Sequence, residues 1–78
     1  MPYTIVMKLE QVLPMLRDGK TITRTKPVPS GFSVLFVKIN GYEQLVKKFV
    51  LSTGEEMDWS WYRVTKEDVM AENWEVAG

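Results

Sequence analysis

The chain contains neither Cys nor His. Thiolate nucleophiles, imidazole bases, disulfides and Cys/His metal sites are therefore excluded. What remains for chemistry is charge and aromatic surface. Trp59 and Trp61 are two residues apart, which on a strand places both on one face. They are either large packing residues or a flat platform for a planar ligand. Arg24 offers a fork of donors that matches an oxyanion, or a plain salt bridge. Lys26, beside Pro27, is either solvated or a second cation for the same anion. Asp68 follows Thr65 by three residues, the spacing of a helix cap, and could instead hold a ligand hydroxyl. Asn73, next to Trp74, either bonds a ligand or closes a turn. Glu55, Glu56 and Asp58 resemble a metal cluster in composition only. Strand alternation sends Glu55 away from Glu56, so solvated edge charges that discourage aggregation are the simpler reading. Lys47 and Lys48 point to opposite faces of a strand and make a poor phosphate clamp.

The elements that must position these groups fit one domain: 78 residues, 45% hydrophobic and 26% charged, the balance of an ordinary globular chain. Ten basic residues offset ten acidic ones, so no net field draws the chain to nucleic acid or anionic lipid. The charges are nonetheless segregated. Residues 1–50 hold eight Lys/Arg and three acids, net +5, and residues 51–78 hold two Lys/Arg and seven acids, net −5. That pattern suits solvated surface charge, pairing within the fold or between subunits, or a basic cleft for a small anion. No apolar run is long enough for a membrane span or a signal-peptide core, so an intracellular location is expected. A domain this small buries only about 60% of its unfolded surface, so self-association would add stability.

Hydrophobic periodicity sets the order of elements. Residues 3–7 (YTIVM) are β-prone and predict a first strand. Leu9, Val12, Leu13 and Leu16 follow the spacing of a helix with one buried face, with Gly19 as its stop. Pro14 requires either that it lie in the first turn or that the helix kink, and the expected start is near Glu10 or Gln11. Thr21–Thr25 alternates as a strand with Ile22 and Arg24 on one face. Lys26–Gly31 reads as a stiff proline loop, and Phe32–Ile39 as the strongest strand. Asn40-Gly41 predicts a tight hairpin, returning within Tyr42–Leu51. A turn at Ser52-Thr53-Gly54 leads to an alternating strand over Glu55–Arg63. Thr65 caps a short helix over Lys66–Ala71, and Trp74-Glu75-Val76 is the last strand. The expected fold class is α+β: a small single domain over residues 1–78, mainly an antiparallel β-sheet, with one N-terminal helix and one short helix near the C-terminus.

Two blocks carry a family resemblance. Leu16–Arg24 (LRDGKTITR) is similar to the "hydrophobic helix, Gly-Lys, strand, Arg" opening of a small phage and prophage domain. Thr65–Val76 (TKEDVMAENWEV) resembles its ending, a capped Asp-aliphatic-aliphatic-Ala turn followed by an acid-Trp-Glu-Val strand. Trp59 and Trp61 fall near the family's Trp before the short helix. The family is the second type of Thoeris anti-defence protein, and the match spans about residues 9–77. The resemblance implies a binding protein and not an enzyme: a phage sponge that sequesters immune nucleotide messengers without degrading them. The ligands implied are glycocyclic ADP-ribose isomers and, for some members, cyclic oligonucleotides. It also implies a homo-oligomer, commonly a tetramer, with pockets between subunits, working in the host cytoplasm without a cofactor, metal or membrane. Pro27 stands where the family often has a Trp against the ligand, which moves the base platform to Trp59, Trp61 or Tyr62. The implied ligand-binding set is Arg24, Lys26, Trp59, Trp61, Tyr62, Asp68 and Asn73. The alternative functions are a small phage inhibitor of a host protein and a single-stranded nucleic-acid binder. Zero net charge disfavours the second of these. A small hydrolase would lack the usual acid–base apparatus.

Overall fold

The computed structural model describes residues 7–28 and 31–77, with the side chain of Val28 left aside. Most of the strand predicted over residues 3–7 lies outside the described residues. Its last member, Met7, exchanges two backbone hydrogen bonds with Trp74, at 3.1 and 3.0 Å.

The helix α1 spans Leu9–Arg17. It begins at Leu9 rather than Glu10 or Gln11, because the Gln11 side chain reaches back to accept from the Lys8 amide at 2.8 Å. Pro14 is inside the helix and not in its first turn. Both Pro14 and Glu10, whose carbonyl loses the intrahelical donor, are exposed, so water can serve that carbonyl. At the other end Gly19 takes φ +84°. Its amide bonds Leu16 O while Lys20 N bonds Met15 O, the paired closure that a left-handed residue permits.

Five antiparallel strands follow in the order β4-β3-β2-β1-β5: β1 Ile22–Val28, β2 Gly31–Ile39, β3 Leu45–Leu51, β4 Ser60–Trp61 and β5 Glu75–Val76. The short helix α2, Lys66–Met70, lies between β4 and β5. The α+β class, the N-terminal helix, the short second helix and the antiparallel sheet are as the sequence predicted. Three local expectations are corrected. The proline segment is not a loop from Lys26, since Lys26, Pro27 and Val28 pair in register with Ser33, Phe32 and Gly31. The Asn40 turn is wider than a two-residue hairpin: Asn40 Oδ1 accepts from Tyr42 N and Gln44 N, and the left-handed residue is Glu43, at φ 59°. Glu55–Arg63 is not one strand; it touches the sheet at a Val50–Glu56 bridge and again at Ser60–Trp61. Asp and Ser residues in the stretch, and the single edge available to it, leave little to hold a longer ladder.

The core lies between α1 and one face of the sheet. Leu9, Val12 and Leu16 of the helix meet Ile22, Leu35, Val37 and Trp74. Trp74 is completely buried. The opposite face of the sheet has no helix against it among the described residues.

Candidate functional site

The candidate residues separate onto the two faces of the sheet. Ile22, Arg24 and Lys26 alternate on the helix side of β1, where Arg24 pairs in register with Leu35 of the core. Arg24 is 8% exposed and Asp68 1%. Arg24 Nη1 donates to Asp68 Oδ1 at 2.9 Å, and Lys26 Nζ donates to the same oxygen at 3.4 Å. The Thr65 hydroxyl donates to Asp68 Oδ2 at 2.8 Å and accepts from the Asp68 amide at 3.1 Å. One carboxylate thus caps α2 from within and bolts it to β1. Trp74 adds a third fastening: its indole N–H donates to Asp68 O at 3.0 Å. The Arg24 guanidinium carbon sits 5.6 Å from the Trp74 ring centroid, within the range of a cation–π contact. A helix of five residues could not persist without such ties.

The electrostatics follow from this packing. Burial pushes the Asp68 carboxyl up, but the Thr65 hydrogen bond and the charges of Lys26 and Arg24 outweigh burial and hold it below the ordinary carboxylate range. An acid held ionised in this way is a poor proton acceptor near neutral pH. Tyr62 also faces this side. Burial first, and then the Asp68 charge, raise its phenol well above the usual value, and its hydroxyl is buried with no hydrogen-bond partner. Arg24 Nε is likewise buried and unpaired. Asn73 stands at the rim, where its side-chain amide donates to Thr25 O at 3.2 Å.

Trp59 and Trp61 belong to the other face. Trp61 pairs with Val46, one step from Lys47, whose partner Val37 is in the core. Trp61 is 64% exposed and Trp59 37%. Two ammonium groups stand over the Trp59 ring, Lys38 Nζ at 4.2 Å and Lys48 Nζ at 5.1 Å from its centroid. Lys48 also meets Glu56 at 2.8 Å; that bond and the Lys48 charge lower the Glu56 carboxyl pKa. The structure therefore brings Arg24, Lys26, Asp68 and Tyr62 together on one side, and Trp59 with Trp61 on the other.

Sequence reasoning missed Lys38 and Lys48 as companions of the indoles. Alternation along Phe32–Ile39 would have placed Lys38 opposite the core, but its meeting with Trp59 depends on strand order. Two surface grooves lie elsewhere. One, of about 390 Å³, runs between α1 and α2 along Leu9, Leu13, Val64 and Val69, with Lys8 and Glu10 at its rim. The other, of about 530 Å³, is lined by Leu16, Arg17, Gly19, Ile39, Asn40 and Glu43. Neither is lined by any of the seven candidate residues.

The family model described as Tad2-like, the Thoeris anti-defense 2-like domain, matches residues 7–77. The chain belongs to this family. The match runs from Met7, which bridges to Trp74, to Ala77, whose amide bonds Thr21 O at 2.7 Å, so it embraces the whole described sheet. Anti-defence is the role the family description carries. No curated protein and no solved structure matches the chain. Among the described residues of this Thoeris anti-defence 2-like domain, no helix is long and apolar enough to cross a membrane, and no group of three or more acids could hold a metal ion.

Proposed function

We propose that this protein captures an immune nucleotide messenger and holds it unaltered, so that the signal never reaches its effector. The observation that carries this reading is the open sheet face, where an indole flanked by two ammonium groups at 4.2 and 5.1 Å lies beside the exposed Trp61. A cyclic nucleotide presents flat bases and anionic phosphates. Bases stack on indoles, each stack worth roughly 1–3 kcal/mol, and ammonium groups hold phosphate as point charges. Affinity without turnover needs no proton acceptor. Asp68, the one buried carboxylate among the described residues, is occupied by Arg24, Lys26 and Thr65. Arg24, though the strongest oxyanion ligand by chemistry, acts in this reading through the fold: its guanidinium fixes α2 and leaves phosphate contacts to Lys38 and Lys48. Copies of the chain assemble, and the messenger lies where they meet.

The test is calorimetry with glycocyclic ADP-ribose isomers and a panel of cyclic di- and trinucleotides, followed by heat denaturation and mass spectrometry of what is released. Capture with recovery of intact ligand supports the proposal. Failure to bind any of them at tens of micromolar overturns it, and so does release of a linearised product.

A further inference from the structure

The turn that begins at Asn40 and Gly41 joins β2 to β3, and it is built around one side chain. Asn40 Oδ1 accepts from Tyr42 N at 2.9 Å and from Gln44 N at 3.1 Å. The backbone closes over it, with Asn40 N donating to Gln44 O at 2.9 Å and Glu43 N to Asn40 O at 3.0 Å. Gly41 N is the amide left over: it donates to no acceptor among the described residues. Gly41, Tyr42 and Glu43 are exposed, and a Cβ added at Gly41 would meet nothing within 4 Å. Water therefore reaches this amide freely. An unpartnered amide nitrogen thus follows directly on a carboxamide whose oxygen is gripped by two donors. Attack of Gly41 N on Asn40 Cγ closes a five-membered ring within one chain, which spares the cost of bringing the reactants together. It also drives negative charge onto Oδ1, and donors already aimed at such an oxygen stabilise the tetrahedral intermediate. Glycine, lacking a Cβ, leaves the nitrogen unshielded and the backbone free to bend into the ring.

We infer that Asn40 is a site of spontaneous deamidation in the folded protein, promoted by the turn that its own side chain holds together. Water or hydroxide takes the Gly41 amide proton as the nitrogen bonds to Asn40 Cγ. The Cγ–Nδ2 bond then breaks, Nδ2 takes up a proton and leaves as ammonia, and a succinimide remains. Water adds to one of its two carbonyls. Opening the bond between Cγ and the Gly41 nitrogen gives aspartate at position 40; opening the original peptide bond gives isoaspartate. In sum one water is consumed and one ammonia released, and nothing is oxidised or reduced. Eleven acids then face ten basic residues, so the net charge moves from zero to −1. The new charge falls in the groove that already holds Arg17 and Glu43. The two products differ in what they do to the fold. Aspartate keeps an oxygen for Tyr42 N and Gln44 N. Isoaspartate runs the main chain through Cβ and Cγ, which lengthens the turn and withdraws the acceptor both amides use, so it loosens the β2–β3 hairpin.

Timed incubation of the full chain at neutral pH and physiological temperature tests this. Samples are digested with trypsin, and the peptide from Ile39 to Lys47 is followed by mass spectrometry for the exchange of NH for O. The same chain held unfolded in guanidinium chloride is the reference. The folded chain is expected to convert at least as fast as the unfolded one, because only the folded turn keeps both donors on Oδ1. Gly41→Ala, whose methyl group enters open space, is expected to slow conversion by roughly two- to fivefold, the conformational freedom lost with glycine, with circular dichroism unchanged. Asn40→Ser keeps an oxygen acceptor for the turn and has no amide to lose, so its peptide is expected to show no exchange. A folded chain slower than the unfolded reference overturns the inference. Exchange that persists in Asn40→Ser overturns it too, because the reacting amide would then be that of Gln44, and so does a rate indifferent to Gly41→Ala.

Discussion

Replacing Asp68 by Ala isolates the fastening between α2 and the sheet. The substitution leaves Arg24, whose side chain is 7% exposed, without its 2.9 Å partner, and removes the bonds from Lys26 and Thr65 as well. Breaking a buried pair by deleting one member costs about 3–5 kcal/mol, because the remaining charge stays desolvated. At roughly 0.05–0.15 kcal/mol per residue, a domain of this length has about 4–12 kcal/mol in all. The variant is therefore expected to lose about a quarter or more of its stability, and its melting temperature is expected to drop by at least about 12 °C. Urea unfolding followed by tryptophan fluorescence reads this directly, since Trp74 is buried on the network and Trp59 and Trp61 are exposed. The double variant Arg24→Met, Asp68→Leu is the control. Replacing both partners by apolar groups is often neutral, so it should recover much of the loss that does not come from the Thr65 cap. A loss below about 1 kcal/mol in Asp68→Ala would refute the reasoning, because a solvated pair is worth no more than that.

Acid titration gives an independent reading of the same carboxylate. Asp68 is lowered in the folded state, so its contribution is present above the unfolded value near 3.9 and is lost as pH falls through the folded value; Asp68→Asn should lose most of that acid limb in pH-dependent melting. Tyr62 is raised, so its contribution is complete below an unfolded phenol value near 10 and declines as pH rises above it. Tyr62→Phe should abolish that alkaline decline. Because the hydroxyl it removes has no partner, stability at pH 7 should be unchanged or higher by about 1 kcal/mol, read by urea titration. Glu43→Asn relieves a left-handed backbone, at φ 59°, in a residue type better suited to it. It should raise the melting temperature by a few degrees, about 0.5 kcal/mol. Trp61→Ala should weaken messenger capture by roughly 5–150-fold, the value of one base stack, with unchanged circular dichroism, as calorimetry and a far-ultraviolet spectrum would show.

The sequence by itself determined the parts that local physics decides. The absence of His and Cys fixed which chemistries were excluded. The spacing of Leu9, Val12 and Leu16 marked the buried helix face, and all three are in the core. Thr65 and Asp68 announced the cap of α2, which their mutual hydrogen bonds make. Alternation put Ile22 and Arg24 on one face, and Trp59 and Trp61 together on one face. Turn width at Asn40 and the early break of the Glu55–Arg63 segment were not legible, because they depend on which edge is free and where side-chain acceptors lie. Only the tertiary structure decided what each face meets. Arg24 and Asp68 are 44 residues apart, and no local pattern reports that α2 lands on β1 with a carboxylate aimed at a guanidinium. Likewise Lys38 and Trp59 are adjacent only because β3 lies between β2 and β4. Period-two alternation says that two residues share a side, but strand order and helix placement choose which side is sealed by packing and which is left for a ligand or another copy.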